Sequence, residues 1–136
     1  MRTAIDTSIL LDVLAADPMF GERSREALRD AYRRGALVAC DVVWSEVRAA
    51  FDDEQPFAEA LATLGIQFDP VSPASAALAG SLWRAQRGRS RALRARVVPD
   101  FLIGAHATLQ CDALLTRDRG FYRDYFTDLR VVDPTA

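Results

Sequence analysis

The chain has 136 residues, half of them apolar, and a net charge of −2. One domain over residues 1–136 is therefore expected, with a core large enough to fold without a metal or a disulfide. All 17 basic residues are arginines, which excludes chemistry that needs a lysine, such as a Walker phosphate loop or a Schiff base. Cys40, Cys111 and the single histidine, His106, show no zinc or disulfide spacing, no apolar run approaches the roughly 18 residues of a membrane span, and Asp6 comes too early for a signal peptide. A cytoplasmic protein with reduced cysteines is expected.

Short apolar runs alternate with amphipathic segments, the pattern of a parallel sheet with helices on its faces. Thr3–Ile5 reads as the first strand, and Ile9, Leu10, Val13 and Leu14 follow at helical spacing up to Asp17-Pro18. A second helix puts Ala27, Leu28, Ala31 and Tyr32 inward and ends near Gly35. Residues 37–40 form a strand, and Val43, Trp44, Val47, Ala50 and Phe51 mark the next helix. Pro56 suits the first turn of a helix carrying Phe57, Leu61 and Leu64 to Gly65.

Ile66–Phe68 is a strand. Ser72-Pro73 caps a helix with Leu78, Ala79, Leu82 and Trp83. Residues 84–96 read as partly loop, and Pro99 opens a helix with Phe101, Leu102, Ala105 and Leu109 inward. Ala113–Leu115 is a strand, Asp118-Arg119-Gly120 a turn, 121–126 a short helix and 129–132 the last strand. The expected total is five strands and seven helices.

Four carboxylates stand where such a fold carries sites. Asp6 follows the first strand and Asp118 a later one, and open α/β sheets bind ligands beyond the carboxyl ends of their strands. Asp100 falls in the first turn of the helix opened by Pro99, and Glu46 borders the apolar stripe of the 43–51 helix. Each also has a plain structural reading: Asp6 as an N-cap, Asp100 answering a helix dipole, Asp118 as a turn residue, Glu46 as a solvated edge. Periodicity does not show whether they meet in space. His106, six residues after Asp100, points about 120° away from it around the helix and is assigned to structure.

Four segments occur in the order and at about the spacing of PIN-domain ribonucleases. They are Ile5-Asp6-Thr7-Ser8, Ser45-Glu46-Val47, Pro99-Asp100-Phe101-Leu102-Ile103-Gly104-Ala105, and Leu115-Thr116-Arg117-Asp118-Arg119-Gly120-Phe121. The chain most resembles VapC-type toxins of type II toxin–antitoxin pairs, and the likeness runs over nearly its whole length. It departs from the pattern in lacking a glycine in the Val-Arg-Ala-Ala that follows Glu46, and in carrying Phe101 where smaller residues are commoner.

The resemblance implies an α/β, PIN-like fold: a five-stranded parallel sheet with helices on both faces. It implies a Mg²⁺-dependent endoribonuclease, with Mn²⁺ as the other candidate ion. By motif matching the catalytic acids are Asp6, Glu46, Asp100 and Asp118. Asp6 and Asp100, with Asp118, are the expected metal ligands, direct or through water, and Glu46 orients or deprotonates the attacking water. Thr7 or Ser8, and Thr116, match supporting positions. Products with 5′-phosphate and 3′-hydroxyl ends, a cognate antitoxin and a homodimer are further expectations.

Arg84, Arg87, Arg89, Arg91, Arg94 and Arg96 place six charges in thirteen residues without an acid among them. The stretch is a basic lip for an RNA backbone, a solvated surface, or a match for a partner's acidic face. The alternatives are a PIN-fold nuclease of RNA processing without an antitoxin, and a catalytically silent module that binds RNA or protein. A phosphoryl-transfer hydrolase of another α/β fold would want a D-x-D pair and a lysine, and the chain has Asp6-Thr7-Ser8 and no lysine.

Overall fold

A computed structural model describes residues 1–86 and 91–135, with side chains described outside 91–97. The five strands are β1 (Thr3–Ile5), β2 (Leu37–Ala39), β3 (Ile66–Phe68), β4 (Ala113–Leu115) and β5 (Val131–Val132). All neighbours are parallel, in the order β3-β2-β1-β4-β5. The seven helices of the described residues are α1 (Thr7–Leu14), α2 (Gly21–Arg34), α3 (Asp41–Arg48), α4 (Glu54–Leu64), α5 (Pro73–Gln86), α6 (Arg91–Gln110) and α7 (Arg119–Tyr125). The α/β class, the strand number and the parallel sheet are as expected from the sequence.

The crossovers β1→β2→β3 run one way across the sheet, and those returning to β4 and β5 run the other. Right-handed connections therefore put their helices on opposite faces. Central strands covered on both faces must be apolar throughout, and β1, β2 and β4 are buried at every residue. The edge strands β3 and β5 are partly exposed. The core runs from Ile5, Ile9 and Leu10 through Leu37, Val43, Phe57 and Leu61 to Phe101, Leu114 and Tyr122.

Local chemistry sets most boundaries. The Asp6 carboxylate accepts from the Thr7 N–H and starts α1. The Ser72 hydroxyl accepts from the Ser75 N–H, with Pro73 first in α5. Gly65 ends α4 at φ 74°, a left-handed conformation that glycine adopts without steric cost. At Gly104 on α6 the Phe126 ring fills the space a side chain would need.

The expectation that Pro99 opens a helix is corrected. α6 begins at Arg91, eight residues earlier, and carries Pro99 in its interior. An interior proline removes one backbone hydrogen bond and costs about 3 kcal/mol. Arg91, Ala92, Leu93, Arg94, Ala95 and Arg96 are strong helix formers, and α6 packs along α5, which together hold the helix through it. The partly looped reading of 84–96 is corrected to the same extent, since residues up to Gln86 belong to α5 and those from Arg91 to α6.

Smaller corrections share this origin in packing. α3 stops at Arg48, so Ala50 and Phe51 lie beyond it, and the Arg48 guanidinium donates to the Phe51 carbonyl at 2.8 Å. α7 begins at Arg119, so Arg119 and Gly120 are helical rather than a turn. Tyr32 is exposed and lies over the bare Gly65 rather than inward. Leu109 is exposed, because eight residues at 100° each turn it about 80° away from Phe101.

Candidate functional site

The order of the strands reverses at β1, whose chain connects to β2 on one side while β4 lies on the other. The carboxyl ends of β1 and β4 flank the crevice where open α/β sheets bind ligands. Asp6 directly follows β1, and Asp118 follows β4 by three residues at the N-cap position of α7.

Asp6 is buried, at 7% exposure, yet both its oxygens are held. Oδ1 accepts from the Thr7 N–H at 2.8 Å, and Oδ2 accepts from the Thr116 hydroxyl at 2.6 Å. Thr116 in turn accepts from the Asp118 N–H at 3.0 Å, so one hydroxyl ties the two acids together. The Thr7 hydroxyl donates to Glu46 Oε1 at 3.0 Å, which draws α3 to the same end of the sheet. Asp6 is thus an N-cap and also the centre of this group. Its plain reading and its functional one are not exclusive.

Burial raises the Asp6 pKa above 3.8; the hydrogen bonds from Thr116 and Thr7 oppose this, and the charges of Glu46 and Asp118 add to it. Asp100 comes from α6. It acts with Asp6 and Asp118 on the phenol of Tyr122, which is fully buried and held above its ordinary pKa first by that burial and then by these three charges. Asp100 lies about two and a half turns inside α6 rather than in its first turn, so no helix N-terminus faces it. Glu46 and Asp118 are exposed and Asp100 is half-buried. The four acids therefore form an open shelf with one buried member rather than a deep cavity. A cleft of about 500 Å³ between α2 and the chain end contains none of them.

Ser8 has a buried hydroxyl with no hydrogen-bond partner among the described residues. Of the arginine run, Arg84 is exposed at the end of α5, and Arg87 and Arg89 lie outside the described residues. Arg91, Arg94 and Arg96 belong to α6, the helix of Asp100, and their side chains also lie outside the described residues.

Two groupings were not legible in the sequence because their members are remote in the chain. Asp12 is buried and accepts from Arg117 Nε at 2.7 Å, Arg117 Nη2 at 3.0 Å and the Ser24 hydroxyl at 2.8 Å. Asp69, His106 and Cys111 bring one ligand atom each within 4.8 Å of one another and could hold an ion. Asp69 Oδ2 is already engaged by His106 Nε2 at 2.7 Å, Arg2 at 2.9 Å and Gln110 at 3.2 Å, and the Arg2 guanidinium opposes a cation. Burial also pushes the Cys111 thiol up to about 12. The structural assignment of His106 agrees with its burial and its Asp69 partner.

A divalent ion fits the acid shelf better. Its donors are all oxygens, the choice of hard cations. The buried Asp6 resists ionising beside Glu46 and Asp118, a cost that a cation removes.

Comparison with known proteins gives the same frame. The sequence model described as "PIN domain" matches residues 3–126. No curated protein matches the chain by sequence. Among solved structures, VapBC2 from Rickettsia felis bound to a DNA fragment from their promoter matches with a TM-score of 0.72 at 15% identity over 98% of both chains. A toxin–antitoxin complex from Klebsiella pneumoniae matches with a TM-score of 0.70 at 22% identity over 97% of both. FitAcB from Neisseria gonorrhoeae matches with a TM-score of 0.68 at 19% identity over 98% of both. At these identities the structures show a shared fold.

Proposed function

The chain belongs to the PIN-domain family, and from that premise we propose that it is a metal-dependent endoribonuclease, the toxin of a toxin–antitoxin pair, acting in the cytoplasm as a single domain over residues 1–136. The carrying observation is the placing of Asp6, Asp118, Asp100 and Glu46 about the switch point of the sheet, around a buried carboxylate that resists ionising. The solved neighbours named for toxin–antitoxin complexes support the toxin reading.

Asp6 and Asp100 would hold Mg²⁺ or Mn²⁺, with Asp118 direct or through water. When bound, the ion supplies an acidified water and neutralises charge on the phosphate. The chain's residues do the rest. The Thr116 hydroxyl and the Thr7 N–H fix the Asp6 carboxylate, and Thr116 sets the Asp118 backbone beside it. Glu46 is exposed and steadied by the Thr7 hydroxyl, and it takes the proton of the attacking water. Ser8 matches a supporting position of the site by motif alone, its buried hydroxyl having no hydrogen-bond partner among the described residues. The water oxygen bonds to phosphorus as the bond from phosphorus to the 3′ oxygen breaks, and that oxygen takes a proton from solvent, leaving 5′-phosphate and 3′-hydroxyl ends.

RNA is the substrate we propose, because an open shelf admits a chain that a closed pocket would exclude. α6 sets the backbones of Arg96 and Arg94 roughly 6 and 9 Å along its axis from Asp100. Arg84, Arg87, Arg89 and Arg91 are the other arginines we propose for phosphate contact, on their charge in the sequence. A cognate antitoxin and a second copy of the chain are the proposed protein partners.

The test is incubation of the purified protein with total RNA, with and without Mg²⁺, beside Asp100→Asn, followed by mapping of the cut ends. Mg²⁺-dependent cuts bearing 5′-phosphates, lost in the variant, are expected. Cutting by Asp100→Asn at the wild-type rate removes the assignment.

A further inference from the structure

Behind the acid shelf lies an aromatic cluster. Phe101 meets Phe121 and Tyr125 edge to face at 5.3 and 5.5 Å, and Phe121 meets Tyr122 in the same way at 5.1 Å. Tyr122 also packs against Phe126 at 6.1 Å. A phenylalanine would serve that packing as well as Tyr122 does. The Tyr122 hydroxyl is buried in a fully enclosed side chain and has no hydrogen-bond partner among the described residues. A buried hydroxyl without a partner costs about 1–3 kcal/mol, so packing alone favours the residue that lacks it.

Its surroundings give the hydroxyl a use. Tyr122 follows Asp118 by one turn of α7, and its N–H meets the Asp118 carbonyl at 3.5 Å. The carboxylates acting on its phenol are Asp6, Asp100 and Asp118. Phenols held among carboxylates donate rather than accept. A donor fixed by a rigid aromatic cluster can orient an oxygen that belongs to an ion's ligand set.

We propose that Tyr122 is a positioning residue of the acid shelf, its buried hydroxyl donating to an oxygen ligand of a divalent ion held by Asp6 and Asp100. This rests on the metal-dependent reading above. It adds a residue that none of the four motifs contains as an acid or as a supporting hydroxyl. On this proposal the hydroxyl gains its acceptor only when the ion is bound, which separates it from a purely structural tyrosine.

The experiment titrates Mn²⁺ alone into wild type, Tyr122→Phe and Phe126→Leu by calorimetry, and records ion-free thermal unfolding of each. Tyr122→Phe should weaken the Mn²⁺ Kd about tenfold while leaving the ion-free Tm unchanged or higher. Phe126→Leu disturbs the same cluster without touching a hydroxyl, and should lower the Tm with the Mn²⁺ Kd unchanged. A Tyr122→Phe Kd within twofold of wild type overturns the inference and leaves the acid shelf standing. So does a lowered ion-free Tm in Tyr122→Phe, or an equal loss of Mn²⁺ affinity in Phe126→Leu. A wild-type chain that takes up no Mn²⁺ overturns this inference and the metal-dependent reading together.

Discussion

Arg117 grips Asp12 across 105 residues of chain, with Nε at 2.7 Å from one carboxylate oxygen and Nη2 at 3.0 Å from the other. The guanidinium also lies 4.1 Å from the centre of the Phe20 ring. Arg117 stands between Thr116 and Asp118. The pair therefore fastens the segment carrying Asp118 and the bridging Thr116 onto α1, the helix that Asp6 caps.

Arg117→Ala should destabilise the protein by about 3 kcal/mol, because Asp12 would remain buried without its cation. Arg117→Lys should cost less but still measurably, since an ammonium keeps the charge and loses the two-pronged contact and the ring stack. Urea unfolding at neutral pH checks both. Equal stability of Arg117→Ala and wild type would show that the pair holds nothing in place.

Asp6→Asn should stabilise the ion-free protein while abolishing its response to metal. The folded-state pKa of Asp6 is raised, so the stability it contributes is present below 3.8 and is lost as pH rises through the folded value. At neutral pH the ionised group is a cost that an amide avoids. Thermal unfolding with and without Mn²⁺ should show a Tm at least as high as wild type without the ion, and no upward shift with it. A Tm raised by Mn²⁺ as much as in wild type would remove Asp6 from the ion's ligands.

Asp69→Asn should show the opposite pH dependence. Burial by itself would raise the Asp69 pKa, but the hydrogen bonds and charges of His106 and Arg2 outweigh it and hold it below 3.8. A lowered pKa contributes stability that is present above 3.8 and lost as pH falls through the folded value. The variant should be less stable than wild type by roughly 1–3 kcal/mol at neutral pH, with the gap closing in acid below pH 3.8. Chemical unfolding across that range measures it, and a gap independent of pH would contradict the ionic account.

Much of the fold was legible in the sequence because its signals are local. Ile66–Phe68 and Ala113–Leu115 are apolar-ended runs between turn residues, and Gly35, Gly65 and Ser72-Pro73 mark helix ends by their own backbone chemistry. Pro99 misled for the same reason. A proline's local preference for a helix start says nothing of the packing on α5 that carries α6 through it. The residues of the acid shelf could be named from four motifs, each read within a few positions.

The sequence by itself determined the alternation of apolar strands and amphipathic helices, the all-arginine basic set and the four acids at strand and helix ends, since periodicity and residue chemistry act over a turn or two of chain. Only the tertiary structure decided that Asp6 is the buried acid while Glu46 and Asp118 are exposed, that Thr116 bridges Asp6 and Asp118, and that Arg117 pairs with the buried Asp12. Burial, and the pKa and pairing that follow from it, depend on which distant segments close over a side chain. That is a property of strand order and helix packing, which no local window of sequence contains.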